Sequence, residues 1–289
     1  MPSHTRRHAS LGRAWRASIL AAACVLSLAG GLLAAGPAQA SALPTATLTL
    51  TKSSITLAGV SQAGAYNVLA SGTGFKENGA ILFLLKPGVS TAEAETILKG
   101  GAAKDPNNTA KYGSIVFDAE VAPGKTSEAQ TYLQPGQYIA LIPGEGKGAK
   151  AYSFFSVSAA SAPVALPTPG AIERSIDFGF RGPTTLHDGE VVRFENEGFV
   201  VHMDVAFPAK SHSAAKKIAK DLLTGNEKGL EKLVHGEPFG FAGPLSHEAF
   251  MQETITAKPG WYVQACFMNT QDGRDHTLLG MERVIRIVK

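Results

Sequence analysis

The chain is short of sulfur. Its 289 residues include two cysteines, and one of these, Cys24, sits inside a leading apolar run. Without that run a single thiol remains, Cys266, and one thiol closes no internal disulfide. In an oxidising compartment such a thiol is buried and inert, joined to another molecule, or bound to metal. Histidine is missing from Ser41 up to His187, so no imidazole chemistry is available in the first half of the mature chain. Gly-x-Ser-x-Gly and His-Glu-x-x-His do not occur, and "GEGKGAK" (Gly144–Lys150) lacks the spacing of a phosphate-binding loop. Cys266 and His276 have no evident third group to complete a nucleophile. The sequence therefore predicts no enzyme. His-x-His pairs, which multicopper oxygen chemistry requires, are also absent.

Residues 1–40 carry Arg6, Arg7, Arg13 and Arg16 and no acid. Then come "ILAAACVLSLAGGLLAAG" and "PAQA" before Ser41. This three-part layout predicts a secretory signal peptide cut after Ala40, hence a periplasmic or extracellular product. A retained anchor is the alternative. Cys24 lacks the leucine three residues earlier that a lipoprotein signal has, and the Arg6-Arg7 pair is a weak twin-arginine feature. The whole chain is +3; without the four arginines of the signal it is −1. The surplus positive charge that nucleic acid demands is therefore not expected. No second apolar run reaches membrane-spanning length.

The remaining residues divide at "APVALPTPGA", a run of proline and small residues that reads as a linker over 159–171. On either side, short β-branched and aromatic runs are bounded by Gly, Pro, Asn and Asp. Examples are "AILFLL" and "QYIALI" before the linker, and "EVVRFENE", "VVHMDVAF" and "WYVQACF" after it. Such runs favour sandwiches. The halves share a grammar: "LQPGQYIALI" aligns with "AKPGWYVQAC" on Pro-Gly-x-Tyr. "GTGFKENGAILFLL" and "NEGFVVHMDVAF" each lead into a short helix. In the second helix Ala215, Ile218, Ala219 and Leu222 recur at helical spacing, while Lys216, Lys217 and Lys220 face away. Two similar tandem domains, 41–158 and 172–289, are expected.

In the second half, "VRFENEGFVVHMDVAF" places His202 on a strand after an Asn-Glu-Gly turn. Near the end come Cys266, His276 and Met281. This set and order resembles the cupredoxin (blue-copper) family. The resemblance implies an all-β fold of two tandem cupredoxin-like Greek-key β-sandwiches with short helical insertions. It also implies one type-1-like copper ion held by His202, Cys266, His276 and Met281, used for electron transfer or copper handling. A redox or copper-donor protein would be the partner. The donors suit copper: thiolate and thioether favour Cu(I), and imidazole serves both oxidation states.

Two features depart from the family pattern. Nine residues, Phe267 to Asp275, separate Cys266 from His276, a spacing similar to that of secreted bacterial cupredoxin-like proteins. Asp272-Gly273 supplies the turn back. Strict alternation also places Asp204 and Ala206 on the His202 face, so that a bulge, a helix over the opposite face, or a role for Asp204 in orienting His202 is required. In the first half, Ile142 takes the place of Cys266, and Asn78 or Gly79 that of His202, so no metal site is expected there. His187, His212, His235 and His247 read as surface residues, the last two in a Gly/Pro-rich loop. The competing reading is a metal-free tandem sandwich acting as an envelope interaction module, with Cys266 as a buried core residue.

Overall fold

The computed structural model describes residues 43–289 except 76–77, 100–105, 145–147, 227 and 237. The expected signal peptide lies outside the described residues. The first half holds β1 (Thr45–Leu50), β2 (Ile55–Ala58), β3 (Gly64–Gly72), β4 (Asn78–Leu85), β5 (Gly113–Val121), β6 (Thr126–Leu133), β7 (Gly136–Pro143) and β8 (Ala149–Val157). The second holds β9 (Ala171–Ile176), β10 (Gly179–Arg181), β11 (Thr185–His187), β12 (Val191–Asn196), β13 (His202–Ala209), β14 (Phe239–Leu245), β15 (Phe250–Thr254), β16 (Gly260–Ala265) and β17 (Glu282–Val288). One helix follows β4 (Thr91–Lys99) and one follows β13 (His212–Leu223). The fold is all-β, as the runs of β-branched and aromatic residues predict.

Each half is a sandwich. In the first, β2-β1-β3-β6 faces β5-β4-β7-β8, and alternate residues of both sheets, such as Leu48, Val68, Leu82, Phe117 and Ile142, fill the space between. In the second, β10-β9-β12-β15 faces β11-β17-β16-β13-β14 around Leu186, Phe241, Tyr262 and Ile285. The two sandwiches are continuous. β15 pairs with β6 through Gln252 and Gln130, so one eight-stranded sheet runs through both halves. The Gln252 side-chain amide donates to Gln130 (2.8 Å) and to the Pro167 carbonyl (3.2 Å). The proline-rich segment is held as well, since Ala65 donates its amide to the Val164 carbonyl at 2.8 Å.

Both helices lie against outer sheet faces. Ala215, Ile218 and Leu222 cover Val201, just before β13, and Met203, Val205 and Phe207 within it. Ala94 and Leu98 of the first helix join the same cluster through Ile81, Phe83 and Ile139. Among the described residues no helix is long and apolar enough to cross a membrane. One stretch read as loop is a strand: Phe239–Leu245, in the Gly/Pro-rich "HGEPFGFAGPLSH", is β14, paired with β13. It is the sheet edge, where Pro244 needs no inward-facing amide partner.

The repeated Pro-Gly-x-Tyr has one physical role in both halves. Tyr138 donates its hydroxyl to the Gln134 carbonyl (2.8 Å) and Tyr262 to that of Lys258 (2.7 Å), each pinning the turn four residues upstream. Tyr138→Phe and Tyr262→Phe are each expected to lower the unfolding free energy by about 1 kcal/mol in urea titrations, additively because the sites are in separate sandwiches. A loss several-fold larger in one half would give that corner a role beyond its hydrogen bond.

Candidate metal centre

His202 opens β13, and the loop before it is held by side chains. Asn196, at the end of β12, is buried and uses both ends of its amide. Its nitrogen donates to the carbonyls of Val200 (2.9 Å) and Leu245 (2.8 Å), and its oxygen accepts from the Gly198 amide (2.9 Å). This is the physical content of the Asn-Glu-Gly turn. A Cβ on Gly198 would lie 2.6 Å from His202 Nε2 and 2.6 Å from Asp177 Oδ1, so only glycine fits there. Asp177 comes from the tight turn between β9 and β10. Its Oδ1 accepts from the Phe199 amide (2.9 Å) and stands 3.3 Å from His202 Nε2.

Cys266 follows the last residue of β16. Its amide donates to the Met281 carbonyl (3.1 Å), and its Sγ lies 3.4 Å from the Met203 amide. The nine-residue excursion that follows closes on itself: Asn269 bridges Asp275, and the Thr270 amide reaches the Arg274 carbonyl (2.9 Å) across a turn with Gly273 at φ +85°. The His276 amide then bonds the Met268 carbonyl (2.9 Å), which returns the imidazole to the thiol. Phe178, beside Asp177, stands edge-on to the His276 ring at 5.1 Å between centroids.

His202 Nδ1 is 3.8 Å and His276 Nδ1 3.4 Å from Cys266 Sγ. One ligand atom from each of the three residues falls within 4.8 Å of the others, and all three residues are fully buried. Among the described residues this is the one such His/Cys/Asp/Glu cluster. An ion bound at about 2.0 Å to nitrogen and about 2.3 Å to sulfur separates those atoms by roughly 3.6–3.8 Å. The donor set fits. Met281 is also fully buried, in the apolar cluster that contains Cys266, and its amide donates to the His276 carbonyl (3.1 Å).

Burial pushes both imidazoles down to about 4; proximity to His202 adds to this for His276, while Asp177 opposes it for both. At neutral pH they are uncharged. With the Asp177 carboxylate accepting at Nε2, the proton of His202 sits there and the Nδ1 lone pair turns toward the thiol. His276 Nε2 is buried with no hydrogen-bond partner among the described residues.

Asp204 does not orient His202. It accepts from Gln264 Nε2 (2.8 Å); Gln264 in turn accepts from Arg283 Nε (2.6 Å), and Arg283 pairs with Glu173. Burial raises Asp204 well above the usual carboxylate range and takes Glu173 to about 7. The phase conflict has two sources. The helix His212–Leu223 covers the opposite face of β13, and the β13–β14 register shifts between His202 and Asp204. Asp177, the partner His202 actually has, lay inside "SIDFGF", which reads as one strand. Its signal is an Asp two residues before a Gly in mid-run, which marks a turn.

In the first half, counting along the paired strands from Tyr138 (opposite Leu84) and Tyr262 (opposite Pro208) puts Asn78 at the place of His202. Ile142 then matches Cys266 and Ala151 matches Met281. Lys150 Nζ donates to Asn78 Oδ1 at 2.8 Å, so the exposed lysine of β8 takes up this position where the other half gathers donors. Of the remaining histidines, His187 Nδ1 is 3.0 Å from the Lys289 carbonyl, and His212 stacks on Trp261 at 4.1 Å. The His235 amide bonds the Pro208 carbonyl, and His247 Nδ1 is 2.9 Å from the Gly198 carbonyl. None joins the cluster.

No protein-family model matches the sequence, and no curated protein matches it. Solved structures to which the chain is similar include auracyanin B (17% identity, 43% of this chain and 93% of that chain, TM-score 0.27). Auracyanin A, a blue copper protein of the green thermophilic photosynthetic bacterium Chloroflexus aurantiacus, matches at 17% identity (40% and 96%, TM-score 0.25). A multicopper oxidase matches at 10% identity (84% and 88%, TM-score 0.22). What the cluster does is read from its own chemistry.

The depressed imidazoles set a sign for stability against pH in the metal-free protein. The unfolded chain takes up protons near 6.5 and the folded chain only near 4, so stability falls as pH drops through that window. His276→Gln removes one such group. Between pH 7 and 4.5 the variant is expected to lose about 2 kcal/mol less stability than the parent by urea unfolding. Parallel profiles would contradict the burial of a neutral imidazole.

Proposed function

We propose that this chain is an exported copper protein. One ion is held by His202, Cys266 and His276, with Met281 as a weaker fourth donor, and serves in electron transfer or copper handling. The observation that carries the reading is the convergence of one thiol and two Nδ1 atoms, all buried, at 3.4 and 3.8 Å. Two imidazoles, a thiolate and a thioether make a type-1-like set, in which copper would supply one-electron chemistry between its two oxidation states.

The protein's part follows from its own atoms. Cys266 binds as thiolate, and the Met203 amide at 3.4 Å donates to its sulfur and disperses the charge. Asp177 keeps the His202 proton on Nε2 so that Nδ1 remains a donor. All three residues are fully buried from water, as in a closed site rather than one that admits a substrate. That closure supports a carrier over a catalyst. The buried strands and side-chain clamps hold the donors in one geometry, so little rearrangement accompanies a change of charge. A redox or copper-donor protein is the partner this reading calls for, and the leader-like first 40 residues support export.

Titration with Cu(II) is expected to give one bound equivalent and an intense visible thiolate-to-copper band. Cys266→Ser abolishes the band, whereas Met281→Leu keeps it and changes the reduction potential. A colourless protein with no stoichiometric copper would overturn the proposal and leave the metal-free interaction module.

A further inference from the structure

We propose that the half without donors positions the donors of the other, and that Asn107 is the residue through which it does so. The inference rests on the copper reading for its functional meaning but not for its geometry. Four consecutive amides lead into His202, and each ends on a side-chain oxygen. Gly198 donates to Asn196 (2.9 Å), while Phe199 and Val200 donate to Asp177 (2.9 and 3.4 Å). Val201, adjacent to His202, donates to Asn107 Oδ1 at 2.7 Å. Asn196 and Asp177 belong to the sandwich that holds the cluster. Asn107 belongs to the other one.

Asn107 is itself held in place. It lies in a one-turn 3₁₀ segment, Pro106–Thr109, closed by the Thr109 hydroxyl on the Pro106 carbonyl (2.6 Å) and by the Ala110 amide on the Asn107 carbonyl (3.1 Å). The Tyr112 carbonyl just beyond accepts from the Lys86 amide (2.8 Å), which ties the turn to the end of β4. The first half also bonds the strand next to His202. Ile115 of β5 exchanges two hydrogen bonds with Ser246, by its amide to the Ser246 hydroxyl (2.8 Å) and by its carbonyl from the Ser246 amide (3.0 Å). Ser246 follows Leu245, the strand partner of His202. Val201 is buried in the apolar cluster that also holds Ile81, Phe83 and Ile115 of the first half. The half that has no histidine thus bonds both the residue before His202 and the residue after its strand partner Leu245. Asn107 is a positioning residue: without its oxygen the buried Val201 amide has no acceptor, and the backbone at Val201 must shift to reach water.

The test uses the full chain and the variants Asn107→Ala and Asn107→Asp, the latter keeping an acceptor oxygen. In the metal-free protein, Asn107→Ala is expected to speed amide exchange at Val201 and the reaction of Cys266 with a disulfide reagent by about tenfold, leaving Phe199 and Val200 near the parent rates. Asn107→Asp restores slow exchange. With Cu(II) bound, Asn107→Ala shifts the visible band and speeds release to a chelator, again by about tenfold. Parent-like exchange and thiol reactivity in the alanine variant would overturn the proposal. So would equal acceleration at Phe199, Val200 and the strands, which would signal general destabilisation. If the parent takes no copper while the metal-free results hold, the copper reading fails and the positioning of His202 by Asn107 stands.

Discussion

The pairing of β16 with β13 on one side and β17 on the other is the constraint on which the rest of the molecule depends. Cys266 is the first residue past β16, so its place is set by hydrogen bonds that continue from both neighbours. The β13 register brings His202 alongside, and the β17 register puts Met281 opposite, carbonyl to amide. A slip of one residue would turn His202 toward the covering helix and the thiol away from it. Such a slip is opposed by two unlike surfaces: the inward set of Ala206, Tyr262 and Ile285, and the outward set that the helix His212–Leu223 seals. The geometry of three donor atoms is thus a product of apolar packing over the whole sheet.

Beneath the cluster the packing is polar. Asp204 and Gln264 lie two residues deeper along the strands that carry His202 and Cys266, and Arg283 links them to Glu173. The guanidinium pairs with Glu173 directly and reaches Asp204 only through Gln264. Burial raises the pKa of Asp204 well above the usual carboxylate range, which favours its neutral form over a second buried charge. A fixed network of this kind favours one arrangement of the strands over others that apolar side chains alone would accept.

Much of this was legible in the sequence. Pro-Gly-x-Tyr announced the two equivalent turns because proline and glycine have few other uses before a strand. The order Asn-x-Gly, His, Cys, His, Met named the residues that the fold gathers into one core, of which His202, Cys266 and His276 converge at their donor atoms. What escaped has physical reasons. β14 contains glycines and a proline, which local propensity assigns to loops, but an edge strand tolerates them. β3 and β6, "GAYNVLASG" and "TSEAQTYL", mix small and polar residues whose strand character comes from pairing with each other. Asp177 and Asn107 act across 25 and 94 residues of chain, on His202 and Val201 respectively, and no local pattern announces such a partner. The two side chains that steady the site most directly were therefore the least visible.

The sheet shared by the two sandwiches has a consequence for keeping both halves in one chain. With β6 and β15 side by side, its only free borders are β2 and β10. Divide the molecule at the proline-rich segment and each fragment gains a raw border, β6 in one and β15 in the other, open to any passing strand. The half without donors covers the margin that its neighbour would otherwise leave bare.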